Sequence, residues 1–231
     1  MKTVVIFGGS GFIGQNIIRR LAKLGHRLIV LYQKPTNEAK LRFYGNAGQI
    51  VLFKFKKLNE NKIKSIINNA DIVLSLKTVW QEKKGYSYKK HILIFNTQLI
   101  DLINTTDKNK IFIFFSDLRV SEQSPSKRVQ HIAKVENYIL ENLKNAIIIK
   151  PSVVIGEGDQ FIRKLLPIFK LFYLIPIFGS GETKLQPVFV DDVAKALEII
   201  LKQEVKGKNI YELVGPEIFT YNELYKLIAE N

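Results

Sequence analysis

The chain has 231 residues, 46% of them hydrophobic, with a net charge of +14 and no cysteine. That size suits one globular domain with a buried core, with or without a small lobe. The missing cysteine excludes disulfides, thiolate catalysis and cysteine-ligated zinc, and His26, His91 and His131 are too far apart in sequence to suggest a metal cluster.

The elements follow a regular order. Val4–Phe7 is a buried strand, followed by a helix over Phe12–Leu24 that Gly25 ends. Strands are predicted at Arg27–Tyr32, Ile50–Phe55, Asp71–Leu76, Lys110–Ser116 and Ala146–Lys150. Between them fall helices over Glu38–Phe43, Asn59–Asn68, Tyr88–Ile103 and Val129–Leu143. Alternating strands and helices imply a doubly wound parallel sheet, a Rossmann-type α/β fold. The strands are continuously apolar, which fits a sheet covered on both faces. After Pro151 the rhythm changes. Asp159 caps a helix running to about Phe172, Asp191 or Asp192 caps another reaching Lys202, Ile210–Val214 is a last strand and Thr220 caps a final helix. The expected division is a dinucleotide-binding core over 1–155 and a small C-terminal lobe over 156–231 that does not fold independently.

The stretch FGGSGFIG places Gly8, Gly9, Ser10, Gly11, Phe12, Ile13 and Gly14 between the first strand and the first helix. In such a G-x-x-G-x-x-G turn the first glycine allows the tight bend, the second admits a pyrophosphate and the third lets helix and strand pack closely. The helix N-terminus offers free N–H groups and its dipole to the phosphate. An acid at the end of the second strand would take the ribose 2′-hydroxyl of NAD. Here the sequence is LYQKP, with Gln33 and Lys34 at that corner and no acid, so NADP(H) is favoured over NAD(H).

Four stretches, FGGSGFIG, IIIKPSVVIGEGDQFI (147–162), QPVFVDDVAKAL (186–197) and YELVGPEIFTYNEL (211–224), occur together and in order. Together they resemble the atypical short-chain dehydrogenase/reductase group. Within it they are similar to the nucleotide-binding accessory subunits of respiratory complex I (alpha-subcomplex subunit nine) and their bacterial relatives. The resemblance covers essentially the whole chain, and it implies that members usually continue beyond Asn231, so the chain looks short at its C-terminus. It also implies that Leu76, Ser116, Pro151, Ser152 and Val153 lie along the cofactor.

Members of that group carry a catalytic Tyr-x-x-x-Lys, the tyrosine as acid/base and the lysine lowering its pKa. Registered on Ser124-Pro125-Ser126 and Glu136, the tyrosine position is Arg128 and the lysine position is Ile132. Arginine does not give up its proton in proteins, and isoleucine can neither tune a neighbour nor bond a ribose. The expected catalytic set is therefore empty, with Ser116 a lone hydroxyl without a base and His131 a weak substitute.

The charge excess lies wholly in residues 1–100, with 18 Lys/Arg against 4 Asp/Glu, while residues 101–231 carry 17 of each. With the apolar stretch 161–178 it suggests attachment to an anionic membrane surface or to respiratory-chain subunits. Nucleic acid is not expected, because no nucleic-acid motif accompanies the charge. The resulting expectation is an NAD(P)(H)-binding, non-catalytic accessory or assembly protein. It would sit in a bacterial cytoplasm, peripheral to the inner membrane, or alternatively in a mitochondrial matrix. A reductase or epimerase with a non-standard proton donor, and a nucleotide-sensing regulator, remain open at this point.

Overall fold

The computed structural model describes residues 1–33, 38–106, 109–163, 167 and 180–230. Its centre is a seven-stranded sheet, all parallel, in the order β10-β6-β5-β4-β1-β2-β3. The strands are β1 (Thr3–Phe7), β2 (Arg27–Tyr32), β3 (Ile50–Lys54), β4 (Ile72–Ser75), β5 (Ile111–Phe115), β6 (Ala146–Pro151) and β10 (Lys208–Leu213). The helices between them are α1 (Phe12–Lys23), α2 (Glu38–Leu41), α3 (Asn61–Asn68), α4 (Phe95–Asn104) and α5 (Lys127–Asn142), with α6 (Val190–Lys202) before β10 and α7 (Tyr221–Glu230) at the end. The Rossmann reading of the sequence is thus the observed fold, and the predicted strand at 210–214 is the seventh sheet member, β10, paired with β6 from Lys208 onward.

Both sheet faces are covered, as the apolar strands require. One face holds Phe7, Phe55, Val73, Phe95, Phe112, Val135 and Ile139. The other holds Ile6, Ile17, Leu21, Val30, Leu74, Ile113, Leu197 and Leu201, so α1 and α6 share it. Arg20 of α1 pairs with Glu198 of α6, which also accepts from Lys202 at 2.6 Å. Residues after 155 therefore contribute α6 and β10 to the central layers.

Two small strand pairs hold the C-terminal segment in place. β7 (Val154–Ile155) pairs parallel with β9 (Val188–Phe189), and β8 (Lys184–Leu185) pairs with β11 (Phe219–Thr220). The QPV and VGP stretches interlock here: Gln186 Nε2 donates to the Gly215 carbonyl at 2.7 Å, and a Cβ on Gly215 would fall 1.8 Å from the Pro187 oxygen.

The structure departs from the sequence reading in two places. The helix predicted over Tyr88–Ile103 begins as a π-helical turn at Lys89–Ile94 and becomes α-helical only at Phe95. The Ile92 carbonyl accepts from the Asn96 side-chain amide at 2.6 Å, a contact that competes with the ordinary helix ladder at this turn. Asp191 and Asp192 are not caps. Phe189 occupies the cap position because it is still paired in β9, and the two aspartates sit in the first turn, where they complement the helix dipole. The expected helix to Phe172 lies mostly outside the described residues, but its start is capped as predicted, with Asp159 Oδ1 accepting from the Ile162 N–H at 2.7 Å. Thr220 and Glu223 form a reciprocal capping box at the start of α7, with Thr220 N donating to Glu223 at 2.8 Å and Glu223 N donating to Thr220 Oγ1 at 3.1 Å.

The packing of α1 against β1 generates a stability prediction. A Cβ on Gly14 would lie 2.6 Å from the Gly9 carbonyl oxygen, whereas a Cβ on Gly11 meets nothing nearer than 3.5 Å. Gly14→Ala should destabilise by about 1–3 kcal/mol through overpacking. That lowers Tm by roughly 2–4 °C per kcal/mol for a chain of this size. Gly11→Ala should stay within about 0.5 kcal/mol of the parent. Thermal unfolding of the two variants side by side checks the contrast.

Candidate functional site

The sheet order reverses between β1 and β4, and the crevice outside their carboxyl ends is the ligand position of a doubly wound sheet. The glycine turn forms its floor. Gly8 has φ +79°, and its Cβ would fall 2.8 Å from the Leu76 carbonyl oxygen, so both conformation and space demand glycine there. Gly9 is buried, and a Cβ on it would meet Ile18 at 2.8 Å and Val30 at 3.0 Å. Gly11 differs: it is exposed, has φ −72° and ψ 169°, and meets only the Gly8 oxygen at ordinary contact distance. Nothing within the chain requires glycine at 11. A requirement there has to come from something outside the chain that approaches the backbone.

The first turn of α1 starts directly from Gly11 with no side-chain cap and no acidic residue, leaving its N–H groups and positive dipole end toward the crevice. Ser10 presents its carbonyl to Gln15 Nε2 at 2.8 Å, which fixes the turn from behind. Phe12 reaches the loop 156–158, where Gly156 and Gly158 have φ of +146° and +91° and a Cβ on either would approach the Phe12 ring. Ile13 is half-buried against the α1–α6 face. A pyrophosphate fits this cradle by the space at Gly11 and by the chemistry of its donors.

The remaining predicted residues fall around the same edge. Leu76 follows β4, and its N–H donates to the Phe7 carbonyl at 2.9 Å, tying β4 to β1 where the glycine turn begins. Pro151 ends β6; Ser152 N–H donates to Leu213 of β10 at 2.9 Å, and the Val153 carbonyl accepts from Val188 at 2.9 Å. Gln33, just beyond β2, donates from Nε2 to the Lys56 carbonyl at 3.2 Å and accepts from Lys77 Nζ at 3.1 Å. Lys34 lies outside the described residues, as does most of the 161–178 stretch.

Ser116 is at the end of β5 but is not the isolated hydroxyl read from the sequence. It is buried and donates to the Glu136 carboxylate of α5, whose other oxygen pairs with Lys150 Nζ of β6 at 2.8 Å. A buried carboxylate needs such partners, and it draws the serine proton into the fold. Glu136 served the sequence reading only as a register mark, because nothing in its spacing placed it opposite both Ser116 and Lys150.

Positions 128 and 132, which the sequence registers on the Tyr-x-x-x-Lys pair, are also fixed. Arg128 Nη1 donates to Asp117 at 2.5 Å, Nε donates to the Val79 carbonyl at 3.2 Å, Nη2 approaches Thr78 at 3.4 Å, and the guanidinium lies 4.1 Å from the centre of the Trp80 ring. It clamps the loop after β4 to the loop after β5, with a side chain only 11% exposed. Ile132 is 3% exposed within the Phe7–Phe112 core, so a lysine there would place an ammonium among apolar side chains. His131 Nδ1 is buried without a hydrogen-bond partner, and burial, followed by the charge of Lys134, lowers the pKa of its ring. Among the described residues no three His, Asp or Glu side chains gather as a metal site, and no helix is long and apolar enough to cross a membrane.

Fold and crevice together define a Rossmann-type α/β protein with a glycine-floored crevice at the switch point of its sheet. More particularly, the chain belongs to the NAD dependent epimerase/dehydratase family, whose sequence profile matches residues 4–132. It is similar to the NADH dehydrogenase (ubiquinone) 1 alpha subcomplex subunit 9, mitochondrial, of Arabidopsis thaliana, at 31% identity over 97% of this chain and 56% of that protein. The subunit of the same name from Dictyostelium discoideum is 27% identical over 97% of this chain and 62% of that protein. The chain thus spans 56–62% of the length of these relatives. Among solved structures, a UDP-glucuronic acid 4-epimerase from Bacillus cereus in complex with NAD superposes with a TM-score of 0.81, covering 99% of this chain and 83% of that one at 15% identity, a likeness of fold.

The Arg128 clamp is testable because Trp80 is the single tryptophan of the chain. Arg128→Ala removes the cation over its ring and the bond to the Val79 carbonyl. Acrylamide should then quench Trp80 emission more steeply, with the far-UV spectrum unchanged. Identical quenching in the two proteins would show that the clamp does not form in solution.

Proposed function

We propose that this protein holds a nicotinamide dinucleotide, NADP(H) in preference to NAD(H), without turning it over, as an accessory or assembly component of a respiratory NADH dehydrogenase. The observation that carries this reading is the state of the dyad positions: Arg128 is committed to Asp117, Val79 and Trp80, and Ile132 is buried in the core. Residues 1–155 would hold the nucleotide, with the pyrophosphate at Gly8–Gly14 and the start of α1, the adenosine end near Gln33 and Leu76, and the nicotinamide end near Ser116 and Pro151–Val153. Residues 156–231 would close the nicotinamide end. When bound, the cofactor supplies a hydride; reduction of a carbonyl also needs a proton delivered in step. Arginine cannot supply that proton, and the Ser116 hydroxyl is engaged by Glu136.

Binding and turnover separate in one experiment. Gly11→Val should abolish NADPH binding while leaving Tm near that of the parent, since the site is open within the chain. The parent should bind NADPH yet leave it unoxidised against quinones, ketones and sugar nucleotides. Loss of general acid/base help alone lowers rates by about 10²–10⁴. Robust NADPH oxidation that disappears in Gly11→Val would establish a reductase instead.

The partner assignment draws on the names of the relatives, which are mitochondrial NADH dehydrogenase subunits, and on the basic first hundred residues. On this reading the protein works in a bacterial cytoplasm, peripheral to the inner membrane, or alternatively in a mitochondrial matrix. Charge-mediated attachment weakens as screening shortens to about 3 Å at 1 M salt. The protein should therefore sediment with native membranes at low salt and leave them at 1 M. Full recovery in the soluble fraction at low salt would contradict peripheral attachment.

A further inference from the structure

We propose that Lys77 and Gln33 form the subsite for the ribose 2′-phosphate of NADP(H), an inference that rests on the dinucleotide reading above. Lys77 stands two residues beyond β4, a strand buried at all four positions. A lysine so close to the buried end of a central strand is unusual, because lysine is normally solvated. The residues before it are rigidly placed: Ser75 Oγ donates to Asn96 Oδ1 at 2.6 Å, and Leu76 is bonded to Phe7.

From this anchor the side chain crosses the crevice. The Lys77 N–H borders the first glycine turn, 3.2 Å from where a Gly8 Cβ would stand. Its Nζ passes 5.5 Å from the centre of the Phe95 ring and ends 3.1 Å from Gln33 Oε1, at the residue following β2. Gln33 is braced in turn by the Lys56 carbonyl. The ammonium therefore sits at the end of β2, the corner at which this fold recognises the adenosine ribose 2′ group.

The charge balance there is incomplete. Burial pushes the Lys77 pKa below the usual lysine value, and no neighbouring charge offsets that penalty. No carboxylate among the described residues pairs with it; its contacts are an amide oxygen and a ring face. A partly buried ammonium without a counter-ion is unfavourable, and an incoming phosphate removes the deficit. The pyrophosphate is not that anion, since its place is the Gly11 cradle and the start of α1. The 2′-phosphate is the anion left for the β2 corner. Tyr32 and Gln33 stand there in place of an acid that would repel it. Gln33 was among the residues singled out from the sequence and Lys77 was not, although LSLK at the end of a buried strand was the available signal.

The test titrates NADPH and NADH, with adenosine 2′,5′-bisphosphate and 5′-AMP as probes of the 2′-phosphate alone. Parent, Lys77→Met, Lys77→Arg and Gln33→Glu proteins are compared. The parent should prefer NADPH and the bisphosphate. Lys77→Met should lose roughly 10- to 100-fold in affinity for both 2′-phosphorylated ligands, the range expected for a hydrogen bond to a charged group. Its NADH affinity should stay within about twofold, and its Tm without nucleotide should not fall. Lys77→Arg should retain most of the preference, and Gln33→Glu should shift it toward NADH. A parent that binds NADH more tightly, an unchanged preference in Lys77→Met, or equal losses for NADPH and NADH would each overturn the subsite while leaving dinucleotide binding intact. A parent that binds neither dinucleotide overturns both readings.

Discussion

Everything at the crevice depends on how closely α1 approaches β1. Gly14 lies directly on the backbone of Gly9, and Gly9 is itself enclosed by Ile18 and Val30. Any side chain at these positions would lift the helix from the sheet. Because the approach is so close, the free N–H groups of the first α1 turn arrive beside the ends of β1 and β4. Close packing and anion recognition are thus two results of the same missing atoms. Gly11 is the exception that identifies the ligand side, since its neighbours inside the chain tolerate a Cβ.

Around this floor the chain keeps the frame of its family. Ser116 still ends β5, but its proton is directed to Glu136, which Lys150 neutralises. Arg128 is a structural tie between two loops through Asp117 and Trp80. Ile132 is part of the core below. Arg128 and Glu136 each have a charged partner from a neighbouring element, whereas His131 Nδ1 is buried without one. Lys77 stands apart from that pattern, and it lies at the other end of the crevice.

The segment beyond β6 contributes more than a cover. α6 packs on α1 through apolar residues and the Arg20–Glu198–Lys202 cluster, and β10 extends the sheet beside β6. The contact of Gln186 and Pro187 with Gly215 joins the chain entering α6 to the chain leaving β10. The loop carrying Pro151, Ser152 and Val153 is held between them, bonded to Leu213 on one side and Val188 on the other. Its position is therefore set by residues far along the chain, which explains why motifs at 147–162, 186–197 and 211–224 occur together.

The sequence by itself determined the fold class, the order of the first six strands and the glycine turn, because these rest on local signals. Apolar runs of strand length, a helix-ending glycine and capping residues such as Asp159 and Thr220 act within a few residues of themselves. Residue identity alone also denies Arg128 the part of a proton donor and Ile132 that of a tuning lysine. Tertiary structure decided what pairing across the chain decides. Phe189, still held by β9, displaced Asp191 and Asp192 from the cap. Glu136 met Ser116 and Lys150 only because α5 lies against β5 and β6. Lys77 reached Gln33 only because β4 and β2 flank β1, although 44 residues separate them. Side-chain partners of that kind follow from sheet order and register, and no local pattern of residues encodes them.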